Sequence, residues 1–263
     1  SFVVAAGEDS CVLVLYSATS IFLFMPESRE KIARKIIDWY EVNGRTDLPW
    51  RRTKNPYRIL IAELMLQKTH AVQQVLPVFY EFLGRYPNMK SLSRASISDI
   101  RKTISSLGLQ NIRSRRLKEL ALTVNKQFGG EIPKKYSDLR SLPGVGEYIA
   151  NAVLCTAFDE RKPMVDANFG RVLGRVFFGK EDYPPSKNRT RKIAYELLPE
   201  TKFKEFNLGV IDLGALVCKP KSPLHTICPI SEECRFLKRI KRALDKNNPM
   251  LQIEERKSRL ASA

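Results

Sequence analysis

The five residues Leu142-Pro143-Gly144-Val145-Gly146, followed at once by an apolar-periodic run, constrain this chain more than any other stretch. Gly144 and Gly146 let the backbone turn sharply and approach a ligand closely. After the turn, Ile149, Ala152, Val153, Ala157 and Phe158 fall close to helical spacing. A helix that opens directly at such a turn points N–H groups outward, an arrangement suited to a phosphate. Asp166 then stands alone where the next helix should begin, twenty residues after Gly146. One short segment therefore predicts both a phosphate grip and an acid.

The remainder has the same helical period. An amphipathic helix is expected over 27–43, with Ile32, Ile36, Ile37, Trp39 and Tyr40 as its apolar positions and Asn43-Gly44 as its stop. Pro56 suits the first turn of a second helix, whose buried face is Ile59, Leu60, Leu64 and Met65. Glu63 lies inside that apolar stretch, where a carboxylate is costly unless it has a partner or a task; the alternative is a helix-surface glutamate. Further helices are expected over 71–85, 97–106, 112–128, 165–178, 187–198 and 203–217. The one at 112–128 is rich in Arg and Lys, turns Leu117, Leu120, Ala121 and Val124 inward and stops at Gly129-Gly130. No alternating strand pattern occurs outside the first 25 residues, so the fold class is all-α.

Charge narrows the partners. Lys and Arg number 45 against 28 acids, a formal net charge of +17, which favours a polyanion such as nucleic acid. The alternative, a thermophile's charged surface, normally balances Lys with Glu. Residues 11–25 are the most apolar run, but Ser17, Thr19 and Ser20 interrupt them and Glu8 and Asp9 precede them. They are expected to be a strand-like or poorly ordered extension, and no membrane partner is expected. Three of the five cysteines, Cys218, Cys228 and Cys234, cluster late, which suits a metal site in a reducing compartment better than a disulfide framework.

The LPGVG turn, its helix and the Val165-Asp166-Ala167-Asn168 segment together resemble the helix-hairpin-helix DNA glycosylases, the superfamily of endonuclease III and the adenine-mismatch glycosylases. The resemblance runs from about Pro49 to Cys234. It implies two helical lobes with a DNA cleft between them: 52–164 as a bundle carrying the hairpin, and 27–51 with 165–240 as a second domain carrying a metal-cluster loop. The hairpin and Asp166 would lie at their junction. Residues 1–26 would be an extension of unknown role and 241–263 a basic tail.

What the resemblance implies chemically follows residue by residue. Asp166 matches the catalytic acid, which stabilises the cationic sugar as the glycosidic bond breaks and activates water; a plain helix cap is the alternative. At position 148 the lyases resembling endonuclease III carry a Schiff-base lysine. Here the residue is Tyr148, and Gly144–Ala152 contains no lysine, so a monofunctional enzyme is expected. Tyrosine there resembles the thymine/uracil–guanine mismatch glycosylases. Glu63 matches the pocket carboxylate and Lys68 the residue that fills the gap left by the flipped base, with Gln67 as its neighbour. Gly144, Gly146 and Arg113 would contact DNA, Arg115 and Arg116 are further phosphate contacts, and Asn168 would support the Asp166 turn.

Cys218, His225, Cys228 and Cys234 follow the family's four-ligand spacing for a [4Fe–4S] cluster, with His225 in place of the second cysteine. A three-thiolate cluster and zinc stay open as alternatives. The function expected is removal of thymine or uracil opposite guanine in duplex DNA by a monomer, cytoplasmic and nucleoid-associated in a prokaryote or nuclear in a eukaryote. One alternative is adenine removal opposite guanine or 8-oxoguanine; such enzymes typically add a second domain, for which the 29 residues after Cys234 are too few. Another is a non-catalytic DNA-binding protein with a structural metal.

Overall fold

The computed structural model describes residues 26–68, 72–180 and 188–246. The expected extension at 1–25 lies outside them. Twelve α-helices and three short 3-10 turns make up the described residues, and none of these residues is in a strand. No helix among them is long and apolar enough to cross a membrane.

The chain divides into two compact units, one taking residues 45–164 and the other the chain up to Gly44 and from Val165 onward. The unit 45–164 holds α2 (Pro56–Leu66), α3 (Val72–Arg85), α4 (Met89–Arg94), α5 (Ile97–Thr103), α6 (Gln110–Phe128), α7 (Tyr136–Ser141) and α8 (Glu147–Ala157). The sequence predicts the helix starts well. Asn55 caps α2, its side chain accepting from the Arg58 N–H, with Pro56 in the first turn. Gly129 ends α6 in the left-handed conformation. The helix expected over 97–106 breaks at Ile104 and continues as a 3-10 turn over Ser105–Leu107. The core of this unit gathers α2, α3 and α8 around residues such as Leu60, Phe79, Phe82 and Val153.

The second unit is built from α1 (Pro26–Asn43), α9 (Ala167–Phe178), α10 (Asn188–Leu197), α11 (Phe203–Leu216) and α12 (Arg235–Lys246). Its core joins Ile32 and Ile36 to Phe169, Leu173, Phe206 and Val210. Gly209 lets α11 lie against α1: a Cβ there would come within 2.8 Å of an Ile36 methyl. The boundary between the units differs from the expected one, since 45–51 belong with 45–164. Leu48 and Trp50 are buried in that unit's core, and Trp50 packs edge-on against Phe79 at 5.2 Å. The basic tail expected from 241 is, as far as Lys246, the second half of α12.

Candidate active site

The hairpin is held from both sides by its own unit. Leu142 and Val145 are buried pins, and the Val145 N–H donates to the Leu142 carbonyl at 3.1 Å. Arg140 donates to the Val145 carbonyl at 2.9 Å. Gly144 has φ +81°, a left-handed position that needs glycine. Gly146 is extended instead (φ −82°, ψ 177°), so its use is different: as N-cap of α8 it brings no side chain over the helix start. Tyr148 follows in the first turn of α8, half-buried and packed on this unit's core.

Glu63, on α2, is buried in an otherwise apolar face, as the cost argument required if it is to have a task. Just beyond α2, Gln67 donates to the Gly144 carbonyl at 3.1 Å, tying the helix end to the hairpin. Lys68 comes next, exposed, with φ +54°. A cavity of about 470 Å³ opens beside them, lined by Leu64, Gln67, Lys68, Leu109, Arg113 and Arg116 among others.

Arg113 has a task the sequence does not suggest. Its guanidinium donates to the carbonyls of Leu64 (2.7 Å), Met65 (3.2 Å), Gly108 (3.1 Å) and Gln67. It braces the C-terminal end of α2, where helix carbonyls have run out of backbone partners. The expectation of a phosphate contact at Arg113 is corrected to this extent, because its fork is already committed to backbone oxygens. Arg115 and Arg116 stay exposed on α6.

In the other unit, Asp166 caps α9. One carboxylate oxygen accepts from the Phe169 N–H at 2.7 Å and the other from the Asn168 amide at 2.9 Å. Asn168 in turn accepts from Arg171 at 2.8 Å. Arg171 is buried and donates further to the carbonyls of Gly214 (2.7 Å) and Cys218 (2.8 Å). Gly214 makes room for this turn: a Cβ there would sit 2.6 Å from the Asn168 Cβ. Burial pushes the Asp166 carboxyl above its ordinary value, outweighing the Phe169 and Asn168 hydrogen bonds and the Arg171 charge, which all pull it down. Capping alone does not require a carboxylate in so unfavourable a place, since asparagine caps equally well.

Residues 61–200 match the family described as HhH-GPD superfamily base excision DNA repair protein. The chain belongs to this superfamily. A thymine-DNA glycosylase of Aeropyrum pernix is 40% identical over 219 residues, 81% of this chain and 98% of the relative. A thymine/uracil-DNA glycosylase of Pyrobaculum aerophilum is 39% identical, covering 81% of this chain and 94% of its own length. An adenine DNA glycosylase of Buchnera aphidicola subsp. Schizaphis graminum is 36% identical over 76% of this chain, which spans 57% of that protein. Among solved structures, a thermostable thymine-DNA glycosylase matches with TM-score 0.76 at 35% identity, covering 81% of this chain and 98% of its own. An endonuclease III–DNA complex shares the fold, with TM-score 0.72 at 23% identity over 83% of this chain and 99% of its own.

The HhH-GPD fold is compatible with a [4Fe–4S] cluster, and the loop after α11 was expected to hold one. Cys218, His225, Cys228 and Cys234 do line one small cavity, with Arg175 beside them. Among the described residues no three His, Cys, Asp or Glu side chains are grouped closely enough to hold a metal ion. Thiol chemistry and charge at the cavity suit an anionic cluster. Arg175 is almost fully buried, lies 3.4 Å from the Cys218 sulfur and leaves its Nε without a hydrogen-bond partner. Burial pushes the Cys228 thiol up to about 11, so a thiolate there needs a cation. Sequence reasoning passed over Arg171 and Arg175; the signal was two charges one turn apart in the apolar run of α9.

Proposed function

We propose that the chain is a monofunctional DNA glycosylase that releases thymine or uracil opposite guanine and leaves an abasic site. The observation that carries this reading is the Asp166 carboxylate, held by Phe169 and by an Asn168 that Arg171 fixes, where burial disfavours its charge. A fixed anion of this kind is worth most when positive charge develops beside it. The target nucleotide leaves the stack. As its C1′–N bond breaks, the base departs with the bonding pair and Asp166 stabilises the oxocarbenium-like sugar. Water adds at C1′ and gives up a proton with Asp166 as base.

Glu63 hydrogen-bonds the edge of the flipped pyrimidine, and Tyr148 lines its pocket. Because no lysine stands at 148, the enzyme has no amine there to form a Schiff base with the sugar. Lys68 and Gln67 fill the space the nucleotide vacates, while the hairpin at Gly144–Gly146, with Arg115 and Arg116, holds phosphates. Cys218, His225, Cys228 and Cys234 would hold a [4Fe–4S] cluster, which when bound staples the loop and takes no part in hydrolysis.

Purified protein is tested on duplexes carrying G·T, G·U, A·G and A·8-oxoguanine. Release from G·T or G·U without strand cleavage, and no covalent adduct with borohydride, is the expected result. Release from the adenine pairs alone overturns the substrate assignment, and an efficient borohydride adduct overturns the monofunctional one. Iron and sulfide counting tests the cluster independently.

A further inference from the structure

Helix α12 has the sequence RFLKRIKRALDK, with six cations and one acid in twelve residues. One side of it is spent on packing. Phe236 and Leu237 are buried, Arg235 donates to the Phe177 carbonyl at 2.9 Å, and the Arg175 guanidinium lies 5.1 Å from the Phe236 ring. These contacts fix α12 against the C-terminal end of α9. Asp166 caps the other end of that twelve-residue helix, roughly 18 Å away at 1.5 Å per residue.

The other side carries Lys238, Arg239, Lys241 and Arg242, all exposed. Their i, i+3 and i, i+4 spacing makes one continuous stripe. Among the described residues none of the four forms an ion pair with an acid; the Arg239 guanidinium lies 5.3 Å from the Phe236 ring, at the edge of the stripe. Helix stability does not account for the stripe. Cations favour the last turn of a helix, but this stripe begins near the first, which holds no acid, and like charges at i, i+4 repel. A membrane surface fits poorly, because an interfacial helix needs its apolar face free, and here Phe236 and Leu237 are occupied by the core.

We propose that α12 is a second, sequence-independent binding face for the phosphate backbone of duplex DNA, separate from the base-excision site. It adds affinity for undamaged duplex without touching the reacting nucleotide. The proposal rests on the reading that the substrate is duplex DNA, and not on which base is released.

The test compares the full wild-type chain with a Lys238→Gln/Arg239→Gln/Lys241→Gln/Arg242→Gln variant, binding a short undamaged duplex between about 50 and 200 mM salt. Each lost phosphate contact should lower the steepness of log K against log salt by about 0.9, so a fall of roughly 2 to 4 is expected. At the low-salt end, affinity should drop at least ~10-fold. Single-turnover base release at saturating enzyme should change less than ~2-fold, because the reacting groups are untouched. A Lys238→Arg/Lys241→Arg variant should keep the wild-type slope, and Lys241→Gln alone should lower it by about 1 if the quadruple variant does not fold. An unchanged slope and affinity overturn the proposal. So does an unchanged slope accompanied by lost binding to phosphatidylserine vesicles, which would assign the stripe to a membrane. If the wild type releases no base from any mismatch, the catalytic reading fails while the slope comparison still decides this one.

Discussion

Two buried or half-buried arginines, one in each unit, solve the same local problem with different consequences. Arg113 closes the end of α2 by donating to the carbonyls of Leu64, Met65 and Gln67. Arg171 does the same near the end of α11, donating to the carbonyls of Gly214 and Cys218. Arg113 grips the backbone around Lys68, whose φ is +54°. Arg171 reaches one group further, through Asn168 to the Asp166 carboxylate, and its charge pulls that carboxyl down against burial. The Arg113 brace sets shape; the Arg171 brace sets shape and also the charge balance at Asp166. A guanidinium suits such places because its rigid fork of donors spans several acceptors at once.

The comparison can be broken at its functional end. Asp166→Asn should lose at least ~10²-fold in single-turnover base release, the usual cost of removing an electrostatic stabiliser. Its thermal stability at neutral pH should be equal or higher, because asparagine also caps and a disfavoured buried charge is gone. The folded-state value of Asp166 is raised, so folding favours the protonated form, and its contribution to stability falls as pH rises from the ordinary value toward the raised one. A lower melting temperature for the asparagine variant at pH 7 would contradict this.

Arg171→Ala comes next. It strands the Gly214 and Cys218 carbonyls and should cost on the order of 3 kcal/mol in denaturant unfolding. It should also move the acid limb of base release to higher pH, since the positive charge that opposed burial is lost. Arg113→Ala should cost less, about 2 kcal/mol, because its site is only half-buried, and should leave the acid limb where it is. If both variants shift the limb equally, the distinction between the braces is wrong. Gly144→Ala should have the smallest effect, about 1 kcal/mol for a left-handed alanine, or a few degrees in melting temperature, with weaker duplex binding.

What was legible in the sequence was mainly local. The helix at 27–43, the Pro56 start, the Gly129 stop and the Asp166 cap are written in neighbouring residues, and the structure places them there. Short helices such as Met89–Arg94, set by an Asn88–Ser91 capping box, have too few turns to produce a periodic signal. The boundary at 45 depended on where Trp50 buries its ring, a long-range fact. Arg113 and Arg171 were illegible as braces because the carbonyls they close are backbone oxygens, which every residue has. Pairing Arg171 with Cys218 crosses 47 positions. Cys218, His225, Cys228 and Cys234 were recognisable by spacing, but the Arg175 side chain beside their cavity was not.

The most direct test is the pH dependence of single-turnover release from a G·T duplex, for wild type beside Asp166→Asn. The wild-type acid limb should centre above the ordinary aspartate value of 3.8, and the residual asparagine rate should lack this limb. An asparagine variant that keeps both the wild-type rate and the wild-type limb would contradict it.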